Sequence, residues 1–233
     1  MIVTIDGPAG AGKSSTAKEV AERLDFRYLD TGALYRAVAL VFVEADASPT
    51  NKNADALLSD CSIDLRFSTS DTLRVLIGDR DVSDAIRTSR VGDMASQVAA
   101  LSAVREALLP LQRDIAARWS RSRGGVVADG RDTGTVVFPA ADLKIYMHAS
   151  LEERARRRMQ EYEEQQTSAS FEDVREEIRA RDEKDRTRDL APLRRPDDAV
   201  VLDTTSLSFE EQVEAIEALI ERAKAGTDVS ASH

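Results

Sequence analysis

Short apolar runs alternate along the chain with longer segments that carry apolar residues every three or four positions. Each run is brief and almost wholly apolar, as expected for a strand buried on both faces of a parallel sheet. The segments between the runs have the periodicity of amphipathic helices. The five runs begin near residues 2, 26, 126, 143 and 200. Strands that alternate with helices predict an α/β fold with three layers, a five-stranded parallel sheet and right-handed crossovers.

A different pattern interrupts this order. Residues 63–67 and 73–77 alternate apolar and polar positions, and turn-forming residues follow each of them. This pattern is typical of a hairpin or a small antiparallel sheet, so we expect an inserted β-subdomain in a single-domain chain. The predicted boundaries are a core of residues 1–58 and 89–225, an insert of residues 59–88 and a frayed polar tail at 226–233.

Composition narrows the class of protein. The 233 residues are 42% hydrophobic and carry a formal net charge of −10, which argues against general nucleic-acid binding through a basic surface. Apolar runs are too short to span a membrane, and the strand pattern begins at Ile2, which leaves no room for a secretory signal. Cys61 is the single cysteine, as is typical of a reducing compartment. We therefore expect a cytoplasmic protein, with a monomer as the default.

The strongest motif lies between the first strand and the first helix. Gly7, Gly12, Lys13 and Ser14 have the spacing G-x-x-x-x-G-K-S of a phosphate-binding P-loop. Glycines let backbone N–H groups approach phosphate, the helix N-terminus attracts anions, the lysine neutralises phosphate charge, and the serine hydroxyl is a ligand for Mg²⁺. The alternative is a glycine-rich turn without a ligand. The residues predicted to bind ATP are Gly7, Pro8, Ala9, Gly10, Ala11, Gly12, Lys13, Ser14 and Ser15.

Polar residues gather where other strands end, which is where open α/β sheets place their ligands. Asp129-Gly130-Arg131-Asp132 follows an apolar run, although Asp and Gly also favour ordinary turns. Tyr35 and Arg36 lie one turn into the second predicted helix, where Tyr35 is equally compatible with a core position. Arg181, Asp185 and Arg188 share one helix face and could converge on one ligand, or could belong to a solvated, ion-paired helix.

Five stretches together resemble bacterial cytidylate kinases. They are IDGPAGAGKSS, LDTGALYR, DVSDAIRTSRVGDMASQVAALSAVREAL, ADGRDTGTVVFPAADLKIYMHAS and RDEKDRTRDLAPL. The likeness runs from about Ile2 to Leu219, and the β-insert resembles the enlarged nucleoside-monophosphate-binding insert of that family. The resemblance implies a P-loop kinase that transfers the γ-phosphoryl group of ATP to CMP or dCMP with Mg²⁺. The accepting phosphate is already ionised near neutral pH, so we expect no catalytic carboxylate base.

The resemblance also implies roles for individual residues. Lys13 holds the donor phosphates, and Ser14 and Asp129 lie near Mg²⁺. Arg36 and Arg131 match the clamp on the acceptor phosphate, and Tyr35 is added to the acceptor site. Positions matching the pyrimidine pocket and the ribose side are Thr31, Arg105, Asp132, Arg188, Arg181, Asp185 and Ser96. Thr31 departs from the serine usual in the family, which keeps the hydroxyl and adds a methyl group.

Arg157 and Arg158 match arginines of a lid, residues 151–170, that closes over the transferring phosphoryl group. Arg154, Arg156, Arg157 and Arg158 crowd four like charges into five residues, and we expect bound phosphates to relieve their repulsion. The alternative is a static helix neutralised by its own glutamates.

Other functions remain open at this point. A different small P-loop kinase, acting on UMP, shikimate or dephospho-coenzyme A, would share the loop and lack the other four stretches. A nucleotide-sensing switch without turnover would need no second phosphate clamp. Measuring ADP release against a panel of acceptors separates these possibilities.

Overall fold

A computed structural model describes residues 1–69, 71–164 and 168–226 of the chain. Its strands are β1 (Ile2–Asp6), β2 (Arg27–Asp30), β3 (Ile63–Phe67), β4 (Leu73–Ile77), β5 (Arg80–Asp81), β6 (Val126–Gly130), β7 (Leu143–His148) and β8 (Val200–Asp203). Its α-helices are α1 (Lys13–Arg23), α2 (Thr31–Glu44), α3 (Asn51–Leu58), α4 (Ser89–Val98), α5 (Ser102–Arg123), α6 (Leu151–Glu164), α7 (Phe171–Thr187) and α8 (Phe209–Lys224).

The five apolar runs form one sheet in the order β2-β6-β1-β7-β8. The pairings of β1 with β6 and β7, and of β7 with β8, are parallel. The predicted five-stranded parallel α/β fold is confirmed. Its register places Asp6, the last residue of β1, opposite Gly130 at the end of β6 and beside Tyr146 of β7. The loops that follow β1 and β6 therefore leave the sheet at the same edge.

Alternate residues of the central strands form the main core against α1 and α8. The strands contribute fully buried aliphatic side chains, and the two helices pack their apolar faces on them. This arrangement explains the nearly continuous apolar runs, because both faces of these strands are covered. The buried members on the strands are Val3, Ile5, Val127, Leu143, Ile145, Met147 and Val200.

Helix starts agree with local sequence signals. In the described part of the chain, six helices begin after a side chain that accepts a hydrogen bond from the first turn, which satisfies an N–H group that the helix leaves unpaired. These capping residues are Asp30, Thr50, Thr88, Ser150, Ser170 and Ser208. Asp30 is thus both the last residue of β2 and the capping residue of α2.

The second sheet is antiparallel, with the order β3-β4-β5, and it confirms the predicted antiparallel β-structure between residues 63 and 81. The chain divides into two compact units. Unit 1 comprises Met1–Leu29 and Trp119–His233, and unit 2 comprises Asp30–Arg118. The predicted insert boundaries 59–88 stay a prediction, and residues 227–233 of the predicted tail lie outside the described residues.

The structure also bears on the membrane question. Within residues 1–69, 71–164 and 168–226, no helix combines the length and the apolar character needed to cross a bilayer.

Candidate active site

The loop between β1 and α1 has a backbone that only glycine adopts easily. Gly7 and Gly12 have φ values of 151° and 91°, in the region that side-chain-bearing residues avoid. A Cβ at Gly7 would lie 1.9 Å from the Met147 carbonyl oxygen of β7. The two glycines that define the motif are therefore required by backbone geometry and by the close approach of β7.

Carbonyl oxygens of this loop are bound by donors from the protein. Lys13 Nζ donates to the Pro8 carbonyl at 2.7 Å, and Arg154 Nη1 donates to the Ala9 carbonyl at 3.0 Å. The Ala11 carbonyl accepts from Arg157 Nη1 and from Thr204 Oγ1, both at 3.3 Å. A carbonyl that faced a phosphate would repel it, so these bonds favour a loop that offers N–H groups to an anion.

Lys13 is a buried cation beside other cations. Its side chain is 5% exposed, and burial lowers the pKa of the ammonium well below its usual range. The neighbouring guanidinium groups of Arg131 and Arg181 lower that pKa further, while the carboxylates of Asp129 and Asp6 act in the opposite direction. An anion bound here would stabilise the charged lysine, which is the chemistry that the P-loop motif predicts.

Asp129 at the end of β6 lies against the start of α1. Ser14 Oγ donates to one carboxylate oxygen of Asp129 at 2.6 Å, and Tyr28 OH donates to the other at 2.9 Å. The predicted Mg²⁺ residues Ser14 and Asp129 are thus adjacent. Within the described part of the chain, no three His, Cys, Asp or Glu residues form a metal cluster. One hydroxyl and one carboxylate suit Mg²⁺, which usually keeps waters and substrate phosphates as its other ligands.

Asp6, directly before the loop, holds the segment that follows β6. Its carboxylate accepts from Thr133 N at 2.9 Å, Thr133 Oγ1 at 2.7 Å and Gly134 N at 2.7 Å. Thr133–Val137 forms one turn of π-helix, and Asp6 therefore fixes where this turn begins. Burial raises the pKa of Asp6 even though the three hydrogen bonds favour its ionised form.

Four of the five predicted acceptor residues of unit 1, all except Arg181, form one ion-paired network. Arg131 Nε donates to Asp185 Oδ2 at 2.8 Å, and Arg188 Nη2 lies 3.5 Å from Asp132 Oδ1 and its Nη1 lies 4.0 Å from Asp185 Oδ1. Asp132 and Asp185 are 6% and 8% exposed. The structure therefore brings these four residues together, and Arg188 Nε is held by the Ala191 carbonyl at 2.6 Å.

Five further predicted acceptor residues lie in unit 2. Arg36 Nη2 donates to Asp30 Oδ2 at 2.7 Å, and the other oxygen of Asp30 caps α2. The Arg105 guanidinium lies 5.6 Å from the centre of the Tyr35 ring, and its Nε donates to the Ala99 carbonyl. Thr31 is buried at the start of α2, and Ser96 is partly buried on α4. The roles given to these five residues stay predictions.

Each of the four crowded arginines of α6 forms an ion pair. Arg154 pairs with Asp182, Arg156 and Arg157 pair with Glu153, and Arg158 pairs with Glu161. These carboxylates reduce the repulsion between the guanidinium groups, although Arg156 and Arg157 share one of them. Arg157 also donates to the Thr204 carbonyl at 2.6 Å. A lid role for Arg157 would require these contacts to open, and that role and the lid at 151–170 stay predictions, with residues 165–167 outside the described part.

A family model described as "Cytidylate kinase" matches residues 3–222. The chain belongs to the cytidylate kinase family. A protein named cytidylate kinase from Salinibacter ruber is 52% identical over 97% of this chain and 97% of its own length. Cytidylate kinases from Carboxydothermus hydrogenoformans and Methylococcus capsulatus are 45% and 46% identical and cover 95% and 91% of the chain. The resemblance predicted from the five stretches is thereby confirmed.

Within this kinase fold, several residues support the site that sequence reasoning did not single out. Asp6 ends a strand directly before a P-loop, so its position at the carboxyl edge was a usable signal. Asp182 lies inside the stretch RDEKDRTRD, between two residues that were assigned roles. Tyr28 and Thr204 had no comparable signal, because their contacts with the site come from chain segments far apart in sequence.

Asp6→Ala should destabilise the fold by about 2–4 kcal/mol, since it leaves buried donors of Thr133 and Gly134 without their acceptor. Urea unfolding measures this. The matched control is Asp142→Ala. Asp142, like Asp6, accepts a hydrogen bond from a backbone N–H, in this case that of Ile2 at 2.6 Å, but it does so at an exposed site. Water can replace that acceptor, so the control should lose less than about 1 kcal/mol. Equal losses would contradict the role given to Asp6.

The same variant has a defined pH dependence. Because the folded-state pKa of Asp6 is raised above the ordinary value of 3.8, the unfolded chain releases this proton first as pH rises. The free energy of unfolding that Asp6 contributes is therefore fully present below pH 3.8. It decreases as the pH rises from 3.8 through the raised folded-state pKa of Asp6. The loss caused by Asp6→Ala should therefore shrink as pH rises from 3.8 through the raised pKa; a loss that grows would contradict it.

Proposed function

We propose that this chain transfers the γ-phosphoryl group of ATP to CMP, producing ADP and CDP. Membership in the cytidylate kinase family supports the substrate pair. The observation that carries the proposal is the register of β1 with β6, in which Asp6 lies opposite Gly130. The P-loop and the Arg131-Asp132 segment begin one residue after these paired positions, so donor and acceptor groups share one sheet edge.

The donor half of the proposal rests on the loop and on Lys13. Backbone N–H groups at the start of α1 and the buried Lys13 ammonium supply positive charge for the triphosphate. Ser14 and Asp129 are the proposed Mg²⁺ residues, and the ion, when bound, would neutralise charge on the phosphates. Tyr28 keeps the Asp129 carboxylate oriented toward Ser14 through its second oxygen.

The acceptor half rests on paired charges. Arg131 would hold the acceptor phosphate. Arg36 keeps the acceptor-phosphate role that the family resemblance implies for it. Asp132 and Arg188 would read the cytosine edge, and Arg181 and Asp185 would contact the sugar. The carboxylates beside these arginines, Asp132 and Asp185, are already ion-paired with them, so neither is a good general base. This agrees with an acceptor phosphate that needs positioning and charge neutralisation more than deprotonation.

The proposal extends to dCMP as a second acceptor, to a cytoplasmic location and to a monomer. Each of these follows from the family resemblance and from composition. Arg157 and Arg158 are proposed to act on the transferring phosphoryl group after rearrangement of α6.

An acceptor panel tests the function. Purified protein with ATP and Mg²⁺ should release ADP with CMP and dCMP, and far more slowly with UMP, AMP or shikimate. Turnover that favours UMP or shikimate would identify another small-molecule kinase. ATP binding without turnover on any acceptor would indicate a nucleotide-sensing protein.

Lys13→Ala should reduce kcat by about a hundredfold or more, since it removes one preorganised charge.

Asp132→Ala should raise the KM for CMP by about ten- to a hundredfold, the cost of losing a hydrogen bond to a charged group. The KM for ATP should change little, and the preference for CMP over UMP should narrow. Steady-state kinetics with each substrate varied in turn measures both constants. Asp198→Ala is the matched control, because Asp198 pairs with Lys144 at 2.8 Å in the same unit and is mostly exposed. Equal changes in the KM for CMP and the KM for ATP would contradict the proposal that Asp132 lies in the acceptor pocket.

A further inference from the structure

A buried ion pair binds one residue of the P-loop, Ala9, by hydrogen bonds. Arg154 of α6 and Asp182 of α7 are 5% and 4% exposed, and Arg154 Nη1 lies 2.6 Å from Asp182 Oδ2. Arg154 Nη1 also donates to the Ala9 carbonyl at 3.0 Å, and the Ala9 N–H donates to Asp182 Oδ1 at 3.3 Å. Both backbone hydrogen-bonding groups of Ala9 are thus held by the same two side chains.

Packing of α6 on α7 does not depend on these charges. The two helices share an apolar cluster of Ala155, Val174 and Ile178, with further partly buried apolar side chains around it. Burying two charges costs several kcal/mol for each ion and is recovered only by good hydrogen bonding, so such a pair is weak evidence of a stabilising role. The hydrogen bonds to Ala9, together with one from Arg154 Nε to the Ala149 carbonyl, account for where the pair lies.

We propose that Arg154 and Asp182 are positioning residues for the ATP phosphates, acting through the Ala9 peptide groups. This inference rests on the proposed function. By binding the Ala9 carbonyl, Arg154 keeps its oxygen from turning toward the anion. By accepting from the Ala9 N–H, Asp182 fixes the peptide plane from which the following N–H groups are set. Gly10 lies directly against this pair, since a Cβ there would be 3.1 Å from Arg154 Cβ.

The decisive variant replaces both charges with apolar side chains of similar size, Arg154→Met with Asp182→Leu. Exchanging a buried ion pair for apolar residues is often neutral or stabilising, so this protein should remain folded in urea titrations. Its KM for ATP and its Kd for a non-hydrolysable ATP analogue should nevertheless rise by about ten- to a hundredfold, because small misplacements of binding groups have effects of that size. The KM for CMP should change less than about twofold, since the acceptor network is untouched.

Two comparisons separate positioning from general damage. Ile178→Ala weakens the α6–α7 cluster without touching Ala9, so it should lower stability and leave the KM for ATP unchanged. Arg154→Met with Asp182→Asn keeps an amide oxygen that can accept from the Ala9 N–H, so it should recover part of the ATP affinity lost in Arg154→Met with Asp182→Leu.

The results distinguish the inference from the function on which it rests. A folded double variant whose ATP-analogue Kd equals that of the wild-type protein overturns the positioning role. Equal losses for ATP and CMP also overturn it, since they indicate general disruption. If the wild-type protein fails to phosphorylate CMP, the proposed function fails, while analogue binding to the wild-type and variant proteins still decides the role of the pair.

Discussion

The orientation of peptide groups in the loop after β1 is the constraint on which the site depends. A phosphate is bound by N–H groups and repelled by carbonyl oxygens, so the loop has to separate the two. Gly7 and Gly12 provide backbone angles that make this separation possible. Donors from Lys13, Arg154, Arg157 and Thr204 then hold carbonyl oxygens of the loop. Residues of α6 and of the segment after β8 thus shape a site formed by β1 and α1.

Buried charges around this loop are arranged as compensating pairs and bonds. The chain carries a net charge of −10, yet the site brings Lys13 close to Arg131 and Arg181. Carboxylates of Asp6, Asp129, Asp182 and Asp185 offset part of that positive charge and bind backbone or side-chain donors. Burial is the main cause of the lowered pKa of Lys13, and the guanidinium group of Arg131 adds to it. A bound anion would favour the charged form of this lysine, so the buried cation and the oriented donors suit a nucleotide phosphate.

Much of the fold was predictable because its signals are local. The positions of five parallel strands, the β1–loop–α1 motif and the limits of α6 follow from periodicity and from glycine spacing within short windows. The family, too, was evident from five stretches that lie between residues 5 and 193, and the family model matches residues 3–222. The spacing of the arginines on α6 indicated their crowding, but spacing along one helix does not reveal carboxylates such as Asp182 that come from another helix.

The sequence by itself determined the main strands and helices, their alternation along the chain, and the residue types of a phosphate-binding site. Only the tertiary structure decided which side chains hold the loop. Ala9 is bound by residues 145 and 173 positions away, and Asp6 is bound to a turn 127 positions away. Such contacts depend on sheet register and helix packing, which bring distant segments to one edge. Periodicity carries no information about those distances, because it reports only which face of an element is buried.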